Sequence, residues 1–157
     1  MKKVEPLEAI LWSIALPGFS QLLSGALVKG LLFVGLEFLI NVKSHFNTGI
    51  MLSFLGKTTD AAKIIDYQWL MFYPCLYMFA MWDAYKMAQN KPKKYEYLPF
   101  AFGAYFVTVG LMYSPLIKVN HIFIGPVFLP MIFLLPGLAI GFVIRYIILR
   151  IKRHQVD

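Results

Sequence analysis

Charged side chains are missing from four long stretches of the 157-residue chain. Only Lys29 and Glu37 interrupt these stretches, and 59% of all residues are hydrophobic. An α-helix needs about 20 apolar residues to cross the ~30 Å hydrocarbon layer of a membrane. A chain with several such runs has too little polar surface for a soluble domain, so the sequence predicts an integral membrane protein. The stretches cover residues 26–40, 69–82, 98–117 and 127–144.

Residues and motifs that carry chemistry are also scarce. Cys75 is the single cysteine, which excludes an internal disulfide. The sequence has no His-Glu-x-x-His motif, no Gly-x-Ser-x-Gly motif and no P-loop. Ser24-Gly25 is a weak match to a membrane serine protease nucleophile without a histidine placed to serve it, and His45 and His121 lack a third metal ligand. We therefore expect a non-enzymatic protein with no catalytic, cofactor-binding or metal site.

The charge balance is strongly basic, with 15 Lys and Arg residues against 8 Asp and Glu residues and a net charge of +7. In a soluble protein this balance would suggest a nucleic-acid partner. In a membrane protein, basic loops are instead held at the anionic cytoplasmic leaflet. We expect the lipid bilayer as partner and no nucleic acid.

The order of apolar and polar segments predicts an all-α membrane protein with a single domain over residues 1–157. Pro17-Gly18 should break the first apolar segment, because proline removes a helical donor and glycine adds a flexible joint. Residues 7–24 then form a re-entrant helical hairpin, and residues 45–66 contain a short helix on the membrane surface. The four predicted spans are residues 26–44, 67–87, 98–117 and 127–150.

The positive-inside rule favours this arrangement. If the hairpin returns to the face it started from, Lys43, Lys57, Lys63 and Lys118 lie outside and the other 11 basic residues lie in the cytoplasm. Five spans with the N-terminus inside would give the wrong bias. Five spans with the N-terminus outside would place nine basic residues inside and six outside, and this model remains the alternative. We expect a cell-membrane protein with both termini in the cytoplasm.

Ionisable residues within the apolar segments are candidates for a polar intramembrane site, because each is costly in lipid. Antiparallel packing could pair Asp83 with Lys29 or with Arg145, either as a lock between helices or as a site for a solute, ion or lipid head group. Glu37 has no basic residue at its depth, and Asn41 lies one turn later on the same helix face.

Small residues predict close helix packing in the second half of the chain. Gly137 and Gly141 fit the small-xxx-small pattern. Gly103 and Gly110 fall on one face of the preceding helix. Pro136 should also kink the last helix.

Residues 16–25, followed by Lys29-Gly30 and Glu37, resemble the Pro-Gly-x-Gly-Gln opening of small bacterial membrane proteins related to the two-transmembrane-helix domain family. Trp82-Asp83 is similar to the Trp-Asp motif of that family, and the resemblance covers about residues 7–87. Ser20 stands where the family has a second glycine, and residues 98–150 have no counterpart. The resemblance implies a bacterial membrane protein and supplies no reaction. The positions of family type are Gln21, Gly25, Gly30 and Asp83.

Two functions fit these observations. The first is a non-enzymatic accessory or scaffold subunit that assembles with itself or with another membrane protein. The second is a small transporter or channel subunit with a polar path near Glu37 and Asp83, since broken helices commonly end at transport sites.

Overall fold

Helices joined by short turns make up the structure. The computed structural model describes residues 4–91, 93–119 and 122–154, and it confirms the all-α fold class. The helices are α1 (Pro6–Ala15), α2 (Phe19–Leu23), α3 (Leu27–Ser44), α4 (Phe46–Phe54), α5 (Thr58–Ile64), α6 (Tyr67–Leu70), α7 (Tyr73–Ala88), α8 (Leu98–Tyr113) and α9 (Gly125–His154). The strands β1 (Lys118–Val119) and β2 (Ile122–Phe123) form a small antiparallel hairpin in the expected linker before α9.

The Pro17-Gly18 turn separates α1 from α2. Gly18 has a φ of +96°, a left-handed conformation that glycine adopts without steric cost. A Cβ atom at Gly18 would lie 2.6 Å from the carbonyl oxygen of Gly30 and 2.9 Å from the nitrogen of Val34. The tip of the α1–α2 hairpin is therefore packed directly against the backbone of α3.

Helix α1 runs antiparallel to α7. Ala9, in the first half of α1, belongs to the same buried cluster as Ala88 at the end of α7. The carbonyl oxygen of Ile14, near the end of α1, accepts a hydrogen bond from the hydroxyl of Tyr77, near the start of α7. Helix α1 therefore starts beside the C-terminal end of α7.

Helix α3 is antiparallel to α7 as well. Lys29 at its start contacts Asp83 in the second half of α7, whereas Glu37 contacts Tyr73 at the start of α7. Both α1 and α3 therefore begin at the C-terminal end of α7, and the chain between them turns back on itself.

Residues 45–66 cover the opposite end of the bundle. His45, with a φ of +57°, reverses the chain after α3, and Gly56, with a φ of +75°, separates α4 from α5. The expected single surface helix is therefore two helices. The backbone nitrogen of Asp66 donates to the Ser44 carbonyl at 3.1 Å, which closes this segment into a loop.

The helix expected over residues 67–87 is interrupted at Met71 and Phe72. Asp66 caps the short α6 by accepting hydrogen bonds from the backbone nitrogens of Gln68 and Trp69. Pro74 then forces the break, because it has no N–H to donate to the carbonyl of the residue four positions earlier.

The helix expected over residues 98–117 ends at Tyr113 instead. Pro115 has no N–H to continue the helix, and the hydroxyl of Ser114 donates to the Leu111 carbonyl at 2.8 Å. The next helix, α9, starts at Gly125 rather than at residue 127, since Pro126 is well suited to a first helical turn.

Glycines bring α8 and α9 into close contact. A Cβ atom at Gly141 would lie 2.5 Å from Cα of Pro99, and one at Gly137 would lie 2.8 Å from the carbonyl oxygen of Phe102. Helix α9 continues through Pro130 and Pro136 as one element, so neither proline ends it. The small-residue faces of the two helices are thus used within the chain.

Among the described residues, one helix is long and apolar enough to cross a membrane. This segment, Gly125–Arg153, has a mean hydropathy of 2.5, and 28% of its most apolar window is buried. Helix α3 has 18 residues but carries Lys29, Glu37 and Lys43, whereas α7 and α8 have 16 residues each. Length and composition alone therefore do not establish the four predicted spans.

Replacing Gly141 with alanine should destabilise the protein by about 1–3 kcal/mol, because the added methyl group would meet the backbone of α8. Gly35→Ala is the matched control: Gly35 is an exposed helical glycine with open space around it, so alanine should stabilise by up to ~1 kcal/mol. Thermal unfolding in detergent measures both. Equal melting temperatures for the two variants would refute the close packing of α8 and α9.

Candidate functional site

Three helices meet at the carboxylate of Asp83. Lys29 Nζ of α3 lies 2.8 Å from Asp83 Oδ1, and Gln21 Nε2 of α2 lies 3.3 Å from Asp83 Oδ2. Gln21 Nε2 also donates to the Ala80 carbonyl at 2.8 Å. These residues, Gln21, Lys29 and Asp83, form the Asp83 cluster, which ties the hairpin and α3 to α7.

The members of the Asp83 cluster differ in exposure. Gln21 is fully buried, and the Asp83 side chain is 12% exposed, whereas the Lys29 side chain is 55% exposed. The pair therefore joins a nearly buried carboxylate to an ammonium that still reaches solvent. Gln21 Oε1 and Ser20 Oγ are buried without a hydrogen-bond partner among the described residues, at a typical cost of ~1–3 kcal/mol each.

Two glycines bring this cluster together. Gly25, with a φ of +81°, follows the Ser24 cap of α2 and lets the chain turn into α3. A Cβ atom at Gly30 would lie 2.5 Å from Leu22 Cδ2 and 2.9 Å from the Leu22 nitrogen. The close approach of α2 and α3 at Gly30 carries the neighbouring Lys29 towards Asp83.

Arg145 belongs to a different cluster at the same end of the bundle. Its Nη2 atom lies 3.6 Å from Glu96 Oε1, and its Nε donates to the Lys94 carbonyl at 3.2 Å. Glu96 also accepts hydrogen bonds from the Tyr85 hydroxyl at 3.4 Å and from the Lys93 backbone nitrogen at 3.1 Å. Of the two cations proposed for Asp83, Lys29 is therefore its partner, and Arg145 pairs with Glu96.

Sequence reasoning missed Glu96. The residue lies in a basic linker, and its side chain is only 9% exposed because Tyr85 and Arg145 cover it. The available signal was its position between Tyr95 and Tyr97, since an acidic residue between two aromatic residues is a poor choice for a solvated turn.

Glu37 lies in a third group of polar side chains, near the opposite end of α3. Its Oε1 atom accepts long hydrogen bonds from the Tyr73 hydroxyl at 3.4 Å and from Asn41 Nδ2 at 3.5 Å. Asn41 Nδ2 also donates to Asn47 Oδ1 at 3.1 Å, and Asn41 Oδ1 accepts from the Asn47 backbone nitrogen at 3.2 Å. In the part of the chain that the structure describes, no salt bridge is found for Glu37.

The remaining chemical candidates do not come together. Ser24 ends α2, whereas His45 follows the far end of α3, so this histidine cannot serve the serine. His121 lies outside the described residues. The described residues contain no group of three or more His, Cys, Asp or Glu side chains suited to a metal ion. The charged residues of these three groups form the Lys29–Asp83 and Arg145–Glu96 pairs, and Glu37 has no ion-pair partner in the described part of the chain.

Breaking the pair between Lys29 and Asp83 should destabilise the protein. We expect Lys29→Met to cost about 1–3 kcal/mol, less than a fully buried pair would, because water screens the half-exposed ammonium. Asp83→Asn should cost a similar amount. The double variant should recover part of the loss, with a coupling energy of ~1 kcal/mol or more in a thermal mutant cycle.

Arg145→Met provides the control for this cycle. Because Arg145 contacts Glu96, its effect should add to that of Asp83→Asn within ~0.5 kcal/mol. Additive losses for Lys29→Met and Asp83→Asn would show that their charges are not coupled.

The chain was compared with models of protein families, with curated proteins and with solved structures, and no match was found. The resemblance to the two-transmembrane-helix domain family thus remains a prediction from the motifs at residues 16–30 and 82–85.

Proposed function

We propose that the chain is a multi-pass integral membrane protein with four membrane segments, α3, α6–α7, α8 and α9, preceded by a re-entrant hairpin of α1 and α2. Large apolar side chains are exposed along these segments, and water would solvate them poorly. Examples are Leu31 at 65%, Phe79 at 52%, Tyr105 at 64% and Leu135 at 70% exposure. A surrounding bilayer accounts for this surface.

The directions of the helices support the re-entrant path. Five spans with the N-terminus outside would place Glu5 and Lys91 on opposite sides of the membrane, yet both line one recess at the C-terminal end of α7. Helix α1 has ten residues, about 15 Å, which is half the thickness of the hydrocarbon layer. The positive-inside rule then assigns this end of the bundle to the cytoplasm.

The short helices α7 and α8 suit a bilayer because their common end is aromatic and basic. Sixteen residues extend about 24 Å, some 6 Å less than the hydrocarbon layer. The rings of Trp82 and Tyr97 lie 6.5 Å apart at this end, and the Lys86 ammonium lies 5.2 Å from the centre of the Trp82 ring. Such residues hold helix ends at the membrane interface.

Within the membrane, we assign the protein a non-enzymatic accessory or scaffold role, in assembly with itself or with another membrane protein. The observation that carries this assignment is the pairing of Lys29 with Asp83 and of Arg145 with Glu96. These charges hold the chain's own helices together, whereas the apolar face of α9 remains exposed for lipid or a protein partner.

The second candidate, a transporter or channel subunit, is favoured by Glu37. A glutamate within a membrane helix that contacts Tyr73 and Asn41 but has no basic partner among the described residues is a plausible proton or cation site.

A photo-reactive residue at Leu135 tests the scaffold role. Leu135 is exposed on α9, so irradiation of native membranes should give adducts of defined mass with a second chain or another membrane protein. Leu129, on the same helix but 3% exposed, is the matched control and should give none. Adducts with lipid alone would contradict assembly through α9.

The transport alternative makes a different prediction. Reconstituted vesicles would show proton or cation flux that Glu37→Gln abolishes, while the melting temperature changes little. We expect no flux above that of empty vesicles. Flux that the unmodified chain shows and that Glu37→Gln abolishes would replace the scaffold role with transport.

A further inference from the structure

An apolar groove lies on the seam between α7 and α8. Its volume is ≈ 580 Å³, and its walls are formed by Phe79 and Trp82 from α7 and by Ala101 and Ala104 from α8. The groove is open because α8 presents the small side chains of Ala101 and Ala104 to it. Gly110 of α8 instead lies against Phe133 and Pro130 of α9. This space is wide enough for an extended hydrocarbon chain.

A polar recess of ≈ 250 Å³ lies at the C-terminal end of α7. Its lining includes Glu5, Tyr85, Lys91, Lys93 and Glu96. The ring of Tyr85 packs against Phe100 of the apolar groove, with 5.9 Å between the ring centres. Groove and recess are therefore neighbours on one seam, with an apolar part in the helices and a polar part at the end of the bundle.

The charges of the recess select an anion. Glu96 is already engaged by Arg145 and Tyr85, and Glu5 takes part in the capping box at the start of α1. Among the described residues, the ammonium groups of Lys91 and Lys93 have no ion-pair or hydrogen-bond partner. The three cations Lys91, Lys93 and Arg145 outnumber the two carboxylates, so this end of the bundle attracts a phosphate group.

We propose that this seam binds one phospholipid with a net negative head group, its phosphate between Lys91 and Lys93 and one acyl chain in the groove. A helix of a second chain would fill the groove but leave the two ammoniums without a partner. Free phosphate would satisfy the ammoniums but leave the groove empty. An anionic lipid supplies a phosphate for the ammoniums and an acyl chain for the groove. The inference rests on the proposed membrane placement, which locates the recess at the cytoplasmic leaflet.

Quenching of Trp82 fluorescence tests this proposal. Trp12→Phe with Trp69→Phe leaves Trp82 as the single tryptophan of the full chain. The detergent-purified protein is titrated with phosphatidylglycerol carrying brominated acyl chains. We expect saturable quenching at one lipid per chain and roughly tenfold weaker binding of brominated phosphatidylcholine, which has no net charge.

Two pairs of variants identify the parts of the site. Lys91→Gln with Lys93→Gln should weaken phosphatidylglycerol binding roughly tenfold or more, whereas the exposed control pair Lys57→Gln with Lys118→Gln should not. Ala101→Phe should fill the groove and remove the quenching. The matched control is Ala139→Phe, at an exposed alanine of α9 outside the groove, which should leave the quenching unchanged.

Three results would overturn the lipid site: quenching that does not saturate, equal binding by the lysine variants and their controls, or displacement of the lipid by an equal concentration of inorganic phosphate. A different result would refute the proposed membrane placement. A chain recovered from cells without detergent would refute that placement, whereas absent quenching in a chain extracted only by detergent refutes the lipid site alone.

Discussion

The carboxylate of Asp83 needs partners, because a nearly buried negative charge is costly unless it is paired. Lys29 supplies the opposite charge, and Gln21 supplies a hydrogen bond from the hairpin. Both partners reach Asp83 only if the chain turns back at Gly18 and turns again at Gly25. One charged side chain thereby ties both α2 and α3 to α7.

The second half of the chain is held differently. Helices α8 and α9 approach through Gly137 and Gly141, where any side chain would meet backbone atoms. The ion pair between Glu96 and Arg145 then joins the linker before α8 to α9, at the same end of the bundle as Asp83. The Lys29–Asp83 and Arg145–Glu96 pairs both lie at this end, while Glu37 lies towards the other.

Sequence reasoning predicted the features that depend on local chemistry. The break at Pro17-Gly18 and the small-residue face of α9 follow from the conformational limits of proline and glycine, so they are visible without a structure. The choice of Lys29 rather than Arg145 as the partner of Asp83 was not visible. The choice depends on the linker before α8, which places Glu96 beside Arg145 of α9. The local sequence does not reveal such a contact between distant residues.

Helix boundaries were predicted less well, because apolar composition continues past the points where the backbone must stop. Residues 69–82 and 98–117 carry no charged side chain, yet Pro74 and Pro115 lack the N–H that a continuous helix requires. Hydropathy therefore located these two apolar segments, and proline positions decided where α7 begins and where α8 ends.

In the proposed membrane placement, the hairpin returns to the face from which it starts. Single cysteines in a Cys75→Ser background, treated with an impermeant thiol reagent, test it directly. Glu5→Cys should react in inverted vesicles and not in intact cells, as should Lys91→Cys, whereas Thr59→Cys should react in intact cells. Labelling of Glu5→Cys in intact cells, with Lys91→Cys still protected, would instead show that the first helix crosses the membrane.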